Sequence, residues 1–69
     1  AEAAFRQATR DHPDSAIAFN NLAQTLSDLG NFTEAQQTAR KAVSLGGPLQ
    51  ASAQTTLDEI LTKSAKHQK

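Results

Sequence analysis

The residues of this 69-residue chain that could do chemistry are two histidines, seven carboxylates and several hydroxyl side chains, with no cysteine. His12 precedes Pro13 in a turn and His67 lies in the C-terminal tail, so neither pairs with a second ligand at helical spacing. Asp58 and Glu59 are adjacent, and on a helix they point in different directions. No serine or threonine has a nearby histidine that could act as its base. The sequence therefore predicts no catalytic residue, no metal and no cofactor.

The charge balance argues against two further classes of protein. Seven basic and seven acidic side chains give a formal net charge of zero. Nucleic-acid-binding domains usually show a basic patch, which this composition does not offer. The apolar runs are far too short to span a bilayer, so membrane insertion is not expected.

The spacing of apolar residues predicts two helices in the first half of the chain. Residues 1–11 carry alanines and Phe5 on one helical face, and Pro13 ends that segment because the residue before a proline avoids the α region. Asp14 or Ser15 is the expected N-cap of the second helix. Gly30 fits the left-handed position just past the end of that helix.

Two more helices are expected in the second half. Thr33 is the predicted N-cap of the third helix, and Gln36 would complete a capping box with it. Gly46 and the residues after it end the third helix. The last helix is expected from about Leu49 to about Ala65. The residues predicted to share its inner face are Leu49, Ala53, Leu57, Ile60, Leu61 and Ser64.

An internal repeat relates these helices. Residues 1–15 align with residues 35–49, and residues 16–19 align with residues 51–54, which gives a period of 34 or 35 residues. In this register the chain resembles the tetratricopeptide repeat family. The positions that match the family pattern are Phe19, Leu22, Ala23, Leu26, Gly30, Phe32, Ala35, Ala39 and Ala42. Ala39 is small where the family usually has an aromatic, and Pro48 comes one residue late.

The resemblance implies an all-α fold of about four helices, in which antiparallel helix hairpins stack as a right-handed superhelix. It divides a single domain, residues 1–69, into three parts. Residues 1–12 are the second helix of a preceding repeat, residues 15–47 are one complete repeat, and residues 49–66 are a C-terminal capping helix. The polar outer face of that last helix leads us to expect that Lys69 is at or near a natural C-terminus.

The resemblance also implies a function, because tetratricopeptide arrays are interaction scaffolds whose first helices line a concave groove. We expect a non-catalytic scaffold that binds a peptide or partner protein. The candidate contact residues are Ile17, Asn20, Asn21, Gln24, Ser27 and Asp28. Their amides suit this role because they can donate to and accept from a peptide backbone. The alternative is an ordinary solvated helix face.

One family subclass grips a peptide C-terminus with a carboxylate clamp. Asn21 stands at the asparagine position of that clamp. The groove offers Asp28 in place of basic residues, and the next helix offers Ser52, Thr55 and Thr56. Capture of a free carboxylate is therefore not expected.

Self-association is a second possibility. The N-terminal helix would lack the partner that normally precedes it, which leaves an apolar patch formed by Ala1, Ala4, Phe5 and Ala8. Two copies could cover this patch around a two-fold axis, as a homodimer. A small patch of this kind can also be tolerated in a monomer.

A third possibility comes from a second resemblance. The segments HPDSAIAFNNLAQTL and AVSLGGPLQASAQTTLDEI are similar to the last repeat of some bacterial cell-envelope cysteine peptidases related to double-glycine leader peptidases. The Gly-Gly-Pro junction at residues 46–48 carries this resemblance together with the sequence after it. It implies an accessory repeat of a larger enzyme, whose catalytic cysteine and histidine lie outside this chain.

Overall fold

A computed structural model of the chain describes residues 2–67, so Ala1, Gln68 and Lys69 lie outside the described part. Four helices follow one another: α1 (Glu2–Asp11), α2 (Ala16–Asp28), α3 (Phe32–Ser44) and α4 (Gln50–His67). Each helix packs against the next one along the chain, and α2 also contacts α4. Residues 2–67 contain no strand. The predicted all-α fold of stacked helices is confirmed, while the assignment of these helices to particular repeats stays a prediction.

The helix α2 begins at a side-chain cap. Ser15 has an extended backbone, and its Oγ accepts a hydrogen bond from the backbone N–H of Ala18 at 3.2 Å. This bond satisfies one of the amide groups that the first turn of a helix leaves without a partner. Of the two candidates, Ser15 and not Asp14 is therefore the N-cap.

The turn between α2 and α3 is a Schellman motif centred on Gly30. The N–H of Gly30 donates to the carbonyl of Ser27 at 3.0 Å, and the N–H of Asn31 donates to the carbonyl of Leu26 at 2.9 Å. These two bonds satisfy carbonyl groups in the last turn of α2. Gly30 adopts φ +85°, a left-handed conformation that glycine reaches without steric cost. The predicted role of Gly30 is confirmed.

The predicted N-cap of α3 is wrong by two residues. Asn31 is the N-cap, its side chain makes no capping hydrogen bond, and its carbonyl accepts from the N–H of Ala35 at 2.9 Å. The Schellman motif already fixes Asn31 in place, so α3 starts at Phe32 and Thr33 falls inside its first turn. The expected capping box between Thr33 and Gln36 is therefore not formed.

Alanines bring the helices of the core close together. Ala23, Ala35 and Ala39 are completely buried where α2 meets α3. Small side chains at such contacts let helix backbones approach, and this explains how Ala39 fits where the family usually has an aromatic. The core cluster consists of Leu22, Ala23, Leu26, Ala35, Ala39, Leu57 and Ile60, with Phe5 and Phe32 partly buried against it.

The inner face of α4 is rotated slightly from the predicted one. Leu61, expected to be inside, is 39% exposed, whereas Thr56 is only 4% exposed. Ala53, Thr56 and Ile60 are spaced three and four residues apart and form the face against α2 and α3. Leu61 lies at the edge of that face. The Thr56 hydroxyl is buried without penalty because it donates to the carbonyl of Ser52 at 3.1 Å.

An ion pair ties α1 to α3. Nη1 and Nη2 of Arg6 bind the two carboxylate oxygens of Glu34 at 2.6 and 3.0 Å, and Nε of Arg6 binds Glu2 at 2.7 Å. This two-point geometry is the strong form of a guanidinium–carboxylate contact. Hydrogen bonding to Arg6 holds the pKa of Glu34 below its ordinary value, and the contacts with Glu34 and Glu2 raise the pKa of Arg6.

Candidate functional site

The six predicted contact residues lie along one side of α2, but they are exposed to different degrees. Ile17 is 59% exposed, and Gln24 and Asp28 are also exposed. Asn20 and Asn21 are half-buried. Ser27 is the most deeply buried of the six, with 6% exposure. The predicted face therefore has an exposed strip and, on its edge toward α4, a more buried one.

The helix α4 completes this face as a second wall. Nε2 of Gln24 on α2 lies 3.5 Å from Oγ1 of Thr56 on α4, which makes a long hydrogen bond across the two helices. Beside it lies an open pocket of about 250 Å³. The residues that line it are Gln24, Ser27 and Asp28 from α2, and Thr56, Glu59, Ile60 and Lys63 from α4. Three of the six predicted residues are thus brought together there.

The other predicted residues lie elsewhere. Ile17 lines a separate, largely apolar pocket at the N-terminal end of α2, together with Leu45, Pro48 and Leu49. Asn20 and Asn21 do not line the pocket between α2 and α4. The predicted groove therefore has an apolar end at Ile17 and a polar end at Asp28.

Two buried polar atoms on α2 have no hydrogen-bond partner. They are Oδ1 of Asn20 and Oγ of Ser27. An unpaired buried polar atom costs free energy, so each such atom calls for a structural or functional explanation. Asn20 and Ser27 are seven residues apart, which is two helical turns, so both lie on the same edge of α2.

Sequence reasoning missed Glu59 and Lys63 as members of this site. The repeat does not single them out, because a period of 35 residues carries Gln24 to Glu59 and Asp28 to Lys63, whereas a period of 34 carries them to Asp58 and Thr62. The structure puts Gln24, Asp28, Glu59 and Lys63 around one pocket.

The electrostatics of the pocket are mixed. Asp28 and Glu59 contribute carboxylates and Lys63 contributes an ammonium group. In residues 2–67 the ion pairs are those of Arg6 with Glu2 and Glu34, so Lys63 pairs with neither carboxylate. The same part of the chain holds no group of three or more His, Asp or Glu side chains that could bind a metal. The arrangement is suited to hydrogen bonding and charge pairing with a bound segment.

The proposed self-association patch is only partly exposed. Phe5 is half-buried and packs against the core cluster, Ala8 is half-buried, and Ala4 is exposed. Ala1 lies outside the described residues. Because Phe5 faces its own core, the apolar surface left for a second copy is smaller than the sequence suggested. A homodimer stays a prediction.

Part of this chain is similar to a known protein family. A family model described as a tetratricopeptide repeat matches residues 4–37, from within α1 to within α3. No curated protein and no solved structure matches the chain. The assignment of this chain as an accessory repeat of a cysteine peptidase therefore stays a prediction. None of the helices in residues 2–67 is long and apolar enough to cross a membrane. The family match and the stacked helical fold together show that this chain contains a tetratricopeptide repeat.

Proposed function

We propose that the chain is a non-catalytic interaction module that binds an extended segment of a partner protein along α2 and α4. Tetratricopeptide repeats generally mediate protein–protein interaction. The observation that carries the proposal is the pocket shared by α2 and α4, where polar side chains from both helices surround one open space. Such a surface offers several donors and acceptors to the backbone and side chains of a peptide.

The dimensions of this face fit a short segment. Ile17 and Asp28 are eleven residues apart on α2, which at 1.5 Å per residue is about 16 Å. An extended peptide of about five residues covers that length. Ile17 would contact an apolar side chain of the partner at one end. Gln24 and Asp28 would contact polar groups at the other end.

Selection from a library of displayed random peptides tests this proposal. Peptides enriched on the native chain are then measured against Gln24→Ala and against Gln37→Ala. Gln37 is an exposed glutamine on α3, so the second variant is a matched control for the loss of one surface amide. Loss of one or two hydrogen bonds by Gln24→Ala should weaken binding by roughly twofold to tenfold. The control should leave binding unchanged.

Two results would overturn the proposal. One is that no peptide is enriched above the background of the empty display surface. The other is that enriched peptides bind Gln24→Ala as tightly as the native chain, because the surface between α2 and α4 would then play no part. Circular dichroism of both variants shows whether each keeps its helical fold.

A further inference from the structure

We propose that the pocket between α2 and α4 receives a positively charged side chain, a guanidinium or an ammonium, from the bound partner segment. This inference rests on the proposed function and specifies the chemistry of one position within it. The pocket is the one lined by Gln24, Ser27, Asp28, Thr56, Glu59, Ile60 and Lys63.

Hydrogen-bond acceptors are in excess in this pocket. The carboxylates of Asp28 and Glu59 are acceptors alone when ionised. Nε2 of Gln24 already donates to Oγ1 of Thr56, and Thr56 spends its own hydrogen on the carbonyl of Ser52. Gln24 still offers its carbonyl oxygen and one N–H, and Thr56 still offers one oxygen lone pair, so the acceptors of these two residues and the two carboxylates outnumber their free donors. A ligand that brings several N–H groups matches this lining.

Ser27 provides an independent observation. It lines the same pocket, is 6% exposed, and its Oγ has no hydrogen-bond partner. Leaving a buried hydroxyl unpaired is unfavourable. Rotation about χ1 takes a serine between staggered positions, so this oxygen can turn toward a donor that enters the pocket. A bound N–H group would then satisfy an atom that the free protein leaves unpaired.

The ammonium group of Lys63 competes with the incoming cation for the carboxylates of Asp28 and Glu59. Lys63 is the one basic residue among those lining the pocket, and it forms no ion pair within residues 2–67. Lys66 does not line this pocket, but it lines two adjacent ones, the first together with Ser27, Asp28 and Lys63 and the second together with Glu59 and Lys63. Within the lining of this pocket, two carboxylates accompany one ammonium, whose flexible stem lets it move aside. An incoming cation would balance the remaining negative charge.

Peptides that differ in one charge test the inference. We would titrate the full chain with acetyl-Gly-Gly-Arg-Gly-Gly-amide and follow the backbone amide signals by two-dimensional NMR. The same peptide with citrulline is the uncharged isostere, and the peptide with glutamate carries the opposite charge. The arginine peptide should bind roughly twofold to fivefold more tightly than the citrulline peptide, with the largest shifts at Ser27, Asp28 and Glu59. Added salt should remove this difference.

Substitutions then locate the charge effect. Glu59→Gln and Asp28→Asn should each weaken the arginine peptide by roughly twofold to fivefold, while Lys63→Gln should tighten it. Asp58→Asn is the matched control, because Asp58 is an exposed carboxylate next to Glu59 that does not line this pocket. Asp58→Asn should change the affinity for the arginine peptide much less than Glu59→Gln does. The sign of the Lys63 effect distinguishes a competitor from a ligand contact.

Three results would overturn the inference. Tighter binding of the glutamate peptide would assign Lys63 as the ligand contact. Equal weakening by Asp58→Asn and Glu59→Gln would mean that only the general field of the surface acts. Absence of any shift with the arginine peptide, while library-selected peptides still depend on Gln24, would remove the cation pocket and leave the proposed function standing.

Discussion

The replacement Gly30→Ala isolates the conformational demand of the turn between α2 and α3. Gly30 has φ +85°, and a Cβ added there would meet no atom within 4 Å. Any loss of stability must therefore come from the backbone conformation and not from a steric clash with the surroundings. The two Schellman hydrogen bonds, from Gly30 to Ser27 and from Asn31 to Leu26, depend on that conformation.

The size of the effect follows from two opposing terms. Holding an L-residue in the left-handed region costs about 1–2 kcal/mol. Alanine also restricts the unfolded chain, which offsets about 0.4–1 kcal/mol of that cost. The net loss is about 1 kcal/mol, in a domain whose whole free energy of unfolding should be about 3–10 kcal/mol. The melting temperature should fall by about 4–8 °C.

Urea denaturation followed by circular dichroism measures this loss. Gly30→Asn should be milder than Gly30→Ala because asparagine tolerates the left-handed region, and Gly30→Val should be worse, by more than about 1 kcal/mol, because its side chain is β-branched. Asp28→Ala, at the exposed last position of α2, is the control and should not destabilise the fold. If Gly30→Ala unfolds at the same urea concentration as the native chain, the left-handed conformation at residue 30 does not limit the stability of the fold.

Two further predictions concern the core and the ion pair between α1 and α3. Leu26→Ala should lower the free energy of unfolding by about 2–5 kcal/mol because Leu26 is completely buried. Leu29→Ala, at a site that is 58% exposed, should change it by less than about 0.5 kcal/mol. Similar urea midpoints for the two variants would contradict the assignment of Leu26 to the core. Arg6 lowers the folded-state pKa of Glu34. The stability that the ionised Glu34 contributes through this contact is therefore fully present above the ordinary glutamate pKa of 4.5, and it is lost as the pH falls through the lowered pKa. Glu34→Gln should therefore destabilise the chain at neutral pH and approach the native stability as the pH falls through the lowered pKa of Glu34, and a gap that does not depend on pH would refute this.

Local signals in the sequence were sufficient for most helix ends. Ser15 and Gly30 each act through bonds to residues within five positions, so their roles follow from residue type and spacing. The choice of Thr33 failed because Asn31 is already held by a bond from the end of α2. Where two caps compete within three residues, the outcome depends on how the previous helix ends.

Features that depend on the approach of distant helices were harder to predict. Arg6 and Glu34 are 28 residues apart and meet only because α1 and α3 both pack beside α2. On α4, Thr56 is buried and Leu61 is exposed, although Leu61 was expected on the inner face, because the positions of α2 and α3 determine which face of α4 is buried. Periodicity shows that α4 has an apolar face, but it leaves that face uncertain by about one residue's rotation.

The proposed binding face has one side, on α2, that could be predicted from the sequence and another side, on α4, that could not. Its α2 side could be predicted from the first helix of the repeat, and the structure brings Gln24, Ser27 and Asp28 together. Its α4 side could not be predicted from the repeat, because the buried residues Thr56, Leu57 and Ile60 follow Leu22, Ala23 and Leu26 by 34 residues, and that shift carries Gln24 to Asp58 and not to Glu59. In a stacked repeat each unit contacts its neighbour, so residues from both helices line the space between them. The charge of this pocket comes from Asp28 on α2 and from Glu59 and Lys63 on α4, so an interpretation confined to α2 misses two of its three charged side chains.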